Sequence, residues 1–130
     1  MSGIWIPGIP QPKGSPRPLR RGQAMVLTIH DEKGRLWQQT AALVLTALPR
    51  GRSHVGYGVE VTFYLPRPKK PVAPVPTGPP DLDKLQRALG DALEAAQRVP
   101  RDAQIVDWIA RKRYAGERGP GTAVLRLFEV

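Results

Sequence analysis

The sequence contains no cysteine, only two histidines, and just 11 acidic residues against 20 lysines and arginines. Without cysteine there is no disulfide framework, no thiol nucleophile and no cysteine-type zinc site. His30 and His54 stand alone, so neither a zinc centre nor a histidine–metal nuclease motif can be assembled around them. Ser2, Ser15 and Ser53 lack partner patterns for a catalytic triad. Gly56-Tyr57-Gly58 lacks the third glycine of a dinucleotide loop. No apolar run approaches the ~20 residues of a membrane span, and the early Pro7 does not suit a signal peptide. These absences leave a small domain without a membrane partner, expected in the cytoplasm of a bacterial or phage-infected cell.

What is present is positive charge and proline. The 130-residue chain carries a net charge of +9, with 15 Pro and 13 Gly. Its length suits one domain, and its charge points to a polyanionic partner. The prolines gather in two stretches, which can be neither helix nor interior strand. One is a basic segment at 7–23 bearing Lys13, Arg17, Arg20 and Arg21; the other is a loop at 66–80 bearing Lys69 and Lys70. With no acid before Asp31, these six cations are candidates for DNA backbone contacts.

Between the loops the periodicity is regular. Gly3–Ile6 and Ala24–Ile29 suit strands, His30–Gly34 a turn, and Arg35–Leu48 a helix with apolar residues every three or four positions. Val59, Val61, Phe63 and Leu65 alternate as a half-buried strand within Val55–Leu65. Leu82, Leu85, Leu89, Ala92, Leu93 and Ala96 form the apolar stripe of a second helix over Asp81–Gln97. Strands over Ala103–Tyr114 and Thr122–Val130 complete an α+β domain of order β-β-α-β-α-β-β, one mixed sheet with two helices packed on it. If the strands flanking the second helix are parallel, their crossover should be right-handed. Trp5, Trp37 and Trp108 suit core or dimer-interface positions.

The acids run against the overall charge. Six of the eleven lie between Asp81 and Asp107. Asp81 and Asp83 flank Leu82 at the start of the second helix, and Asp83, Arg87 and Asp91 share one face at i, i+4 and i+8. Close carboxylates repel unless compensated, and Mg²⁺ compensates them with oxygen ligands, typically one or two carboxylates plus water and phosphate. An arginine on the same face can hold a phosphate oxygen. The same spacing also suits helix capping, macrodipole chemistry and ordinary i,i+4 ion pairs.

The pattern D-L-D-K-L-x-R-A-L-x-D-A-L, followed by R-D-A-Q-I-V-D and a strand ending in Lys112-Arg113, resembles the RusA family of Holliday-junction resolvases. The likeness is strongest over residues 79–114. It implies a homodimeric endodeoxyribonuclease that uses Mg²⁺, with Mn²⁺ as the alternative, to make paired nicks in four-way DNA junctions during recombination and repair; the competing readings are a non-catalytic basic DNA-binding protein and a related nuclease acting on other branched DNA. The expected products are a 5′-phosphate and a 3′-hydroxyl. It further implies that Asp81, Asp83 and Asp102 are catalytic and bind the metal, that Asp91 supports them, and that Lys112 contacts a phosphate. Arg87 stands where the family usually has a catalytic lysine; it can hold a phosphate but not serve as a general acid. Lys84 stands in place of an asparagine and Arg101 in place of an aspartate, and both join the candidate DNA contacts. Phosphate contacts of this number should make DNA affinity fall steeply with salt, which binding titrations across ionic strength will check.

Overall fold

The computed structural model describes residues 3–13 and 29–130. The elements run β1 (Ile4–Pro7), α1 (Ile29–Leu45), β2 (Tyr57–Leu65), α2 (Leu82–Ala95), a single 3₁₀ turn (Asp102–Gln104), β3 (Ile105–Tyr114) and β4 (Gly121–Glu129). This is the expected α+β architecture: two helices and one four-stranded mixed sheet of order β1-β4-β2-β3. The strand expected at 24–29 lies outside the described residues, apart from Ile29, which opens α1. The turn expected at His30–Gly34 is corrected to helix. Glu32 and Arg35 form an ion pair at the i,i+3 spacing of a helix, and Gly34 faces open space. A glycine there costs about 1 kcal/mol relative to alanine but does not forbid the helix.

Central strand β2 pairs in parallel with β3, in the register Val59↔Trp108, Val61↔Ala110 and Phe63↔Lys112. It pairs antiparallel with β4, and β4 pairs antiparallel with β1. Parallel neighbours need a crossover, and α2 supplies it. The alternation in β2 sends Val59, Val61 and Phe63 to one face, where they are fully buried. Leu85, Leu89 and Leu93 of α2 and Trp37, Ala41 and Leu45 of α1 meet them in one core. Arg98 then joins the ends of both helices. Its guanidinium donates to the carbonyls of Ala96, Thr46 and Leu48, supplying donors where each helix leaves acceptors unpaired.

The opposite face of the sheet carries aromatic rings and arginines. The Phe128 ring lies over Gly58 and the Trp5 ring over Gly121, so close that a Cβ on either glycine would sit 2.2 or 2.1 Å from ring carbon. Arg126 stacks on Phe128 at 4.6 Å and Arg118 on Trp5 at 3.9 Å, favourable cation–π geometry. Trp37 is a core residue, one of the two positions expected, and Trp5 lies on this outer face.

Glu60 links three strands there, accepting from Arg126 Nε of β4 at 2.8 Å and from an Arg111 guanidinium nitrogen of β3 at 3.4 Å. The bond from Arg126 chiefly, with Arg111 adding to it, holds the Glu60 carboxyl below the usual glutamate range, against a smaller opposing effect of burial. A lowered folded-state value means that the stabilisation is complete above the unfolded value, about 4.3, and is lost as pH falls through the folded value. Glu60→Gln should therefore lower the urea midpoint at pH 7, and the gap to wild type should close as unfolding is followed into acid below pH 4.

Candidate active site

Helix α2 starts where the proline-rich loop ends. Asp81 occupies the N-cap position with extended backbone, φ −69° and ψ 140°, yet its side chain makes no capping hydrogen bond. Its carbonyl begins the helix by accepting from the amides of Lys84 and Leu85 at 3.1 and 3.2 Å. Among the described residues the carboxylate meets only the Lys84 ammonium, at 3.7 Å, and it is mostly exposed. Capping therefore does not account for this aspartate.

One turn on, the polar face of α2 forms one wall of a pocket of about 280 Å³. Asp83, Gln86, Arg87 and Gly90 line it from the helix, and Asp102, Ile105 and Trp108 from the 3₁₀ turn and β3. Two acids separated by a helix and a turn of chain thus face one space beside an arginine. Asp81 stands outside the lining, and among the described residues no three acids or histidines form a ready-made metal cage. Ordinary helix pairing does not explain Arg87, which has no ion-pair partner among the described residues. Asp91, the other acid at i+4, is bonded to the Lys13 ammonium instead.

Several contacts hold the walls in place. Glu94 accepts from the Asp102 amide at 3.1 Å, tying the 3₁₀ turn to the helix. Gln104 donates to the carbonyls of Arg52 and Val55, each at 3.0 Å, fixing the other end of the turn. Lys13 also places its amide on the Lys84 carbonyl at 3.1 Å, so the described start of the basic segment is held against α2. Lys112 donates its ammonium to the carbonyls of Gly78 and Pro80 at 2.9 and 3.0 Å. Lys69, Lys70 and Arg101 are exposed. Arg17, Arg20 and Arg21 lie outside the described residues.

Gln86, Gly90 and Trp108 were not among the site residues expected from sequence. Gln86 and Gly90 follow Asp83 at i+3 and i+7, so helical spacing alone would have placed them on the same face. Trp108 packs against the core, as expected, but also closes the pocket.

Two carboxylates and a guanidinium around a small pocket, on a strongly basic chain, are groups that can hold a cation and a phosphate. The sequence pattern of the family described as endodeoxyribonuclease RusA matches residues 7–125 of the 130-residue chain. The chain belongs to this family. It is accordingly an endodeoxyribonuclease, a metal-dependent nuclease, with branched DNA the substrate class the family implies. No curated protein sequence matches the chain.

Gly90 lines the pocket without a side chain. A Cβ there would make ordinary contacts, 3.7 Å from Asp102 Cβ and 3.9 Å from both Ile105 and Trp108, so nothing steric demands glycine. Gly90→Ala should raise stability by about 0.5–1 kcal/mol, the helix-propensity gain, read from urea unfolding.

Proposed function

We propose that the protein resolves four-way DNA junctions by Mg²⁺-dependent hydrolysis in recombination and repair, with Mn²⁺ able to substitute, and works as a homodimer whose two sites make paired nicks. The observation that carries this reading is the shared pocket of Asp83, Arg87 and Asp102. The lining offers carboxylate oxygen and neither histidine nor thiolate, a donor set that suits a hard cation. Two carboxylates suffice, because Mg²⁺ takes its remaining ligands from water and substrate phosphate.

Asp83 and Asp102 would hold the cation, with Asp81 joining from the start of the helix. Bound there, the cation supplies an activated water and neutralises charge on the phosphate. Arg87 binds a non-bridging oxygen of the scissile phosphate and stabilises the charge that builds during in-line attack. The bond from phosphorus to the 3′ oxygen breaks, leaving a 5′-phosphate. Arginine keeps its proton, so the 3′ oxygen takes its proton from solvent. Asp91 acts at one remove, holding Lys13 and with it the start of the basic segment against α2. Lys69, Lys70, Lys84 and Arg101, with the cations at 13–21, would contact the junction arms. A two-fold dimer matches a two-fold junction.

The test is cleavage of a mobile four-way junction with Mg²⁺. Asp81→Asn, Asp83→Asn and Asp102→Asn should each lower nicking on the order of a thousandfold or more while junction binding persists. Undiminished nicking by the Asp83 and Asp102 variants would overturn the assignment.

A further inference from the structure

The segment that delivers Asp81 has little means of holding itself. Pro76, Pro79 and Pro80 have no amide hydrogen, so Thr77–Pro80 cannot join a backbone ladder, and its carbonyls must find donors elsewhere. Asp81 follows directly, and its side chain makes no capping bond. The helix fixes Asp81 from behind through its carbonyl. In front, Lys112 supplies the donors: it rises from β3 on the helix side of the sheet, in register with buried Phe63, and its Nζ takes the carbonyls of Gly78 and Pro80. No described acid pairs with this ammonium, so two of its three N–H groups are committed to the backbone on either side of Pro79.

We propose that Lys112 is a positioning residue, which sets the Asp81 carboxylate and so completes the metal-binding donor set by clamping the chain just before α2. This rests on the nuclease reading above and differs from a direct contact with DNA phosphate. A phosphate contact acts through charge, whereas a clamp acts through hydrogen-bond donors. Lys112→Met removes both. Lys112→Gln removes the charge but keeps two N–H donors, on a side chain one bond shorter.

The experiment measures binding of Mn²⁺ alone by calorimetry, nicking against Mg²⁺ concentration, junction affinity against salt without metal, and the thermal midpoint. Lys112→Met should weaken Mn²⁺ binding and raise the half-saturating Mg²⁺ by about tenfold or more, as losses just outside a metal's ligands do. Its junction affinity and salt slope should match wild type. Lys112→Gln should recover part of the metal affinity lost in Lys112→Met, and it decides the matter should Lys112→Met fail to fold. The proposal is overturned if both variants lose about one unit of salt slope with wild-type metal binding, the signature of a lost phosphate contact. It is equally overturned if metal binding is unchanged in a folded Lys112→Met. A wild-type protein that neither binds Mn²⁺ nor nicks would remove the nuclease reading itself, a result visible before any variant is compared.

Discussion

Burial of the α2 stripe against the inner face of β2 is the contact on which both the fold and the site depend. Leu85, Leu89 and Leu93 meet Val59, Val61 and Phe63, and all six are essentially inaccessible to water. Each such side chain contributes about 1.5–3 kcal/mol on burial. That contact fixes the rotation of the helix about its axis. With the leucines inward, Asp83, Gln86, Arg87 and Gly90 are left to face Asp102 of the 3₁₀ turn and Trp108 of the edge strand β3. A helix turned by one residue would bury a carboxylate and expose a leucine, so the pocket is specified by the same energy that holds the domain together.

The site adds polar constraints to that apolar base. Glu94 binds the Asp102 amide from the helix, Gln104 ties the 3₁₀ turn to the loop before β2, and Lys112 holds the proline segment before Asp81. None of the three lines the pocket. Each fixes backbone rather than a functional side chain, which suits a site whose acids must stay close despite mutual repulsion. Charge is arranged to match. Three cations near the site have acceptors of their own, Lys13 with Asp91, Lys84 with Asp81 and Lys112 with carbonyls, whereas Arg87 and Arg101 have no ion-pair partner among the described residues.

Much of this was legible in the sequence because it repeats. The alternation of β2 and the leucine spacing of α2 are periodic signals, and these two elements formed within two residues of their expected bounds, whereas α1 begins six residues before its expected start and ends three before its expected end. Asp83, Arg87 and Asp102 could be singled out because acids were clustered in a basic chain. The start of α1 was misread because His-Asp-Glu-Lys-Gly has turn composition, while acids in a first helical turn and an i,i+3 ion pair favour helix as well. The partners of Lys112 and Gln104 are backbone carbonyls, which have no side-chain signature. The Lys13–Asp91 bond joins residues 78 positions apart, and nothing in spacing announces it.

The strand order β1-β4-β2-β3 places the four-residue β1 at one rim of the sheet and the pocket at the other. β1 returns from the start of the chain to pair with its final strand, so its docking closes nearly the whole polypeptide into a loop. The pocket closes only the short stretch from α2 to β3. Loop-closure entropy therefore favours assembly of the pocket side first and β1 last.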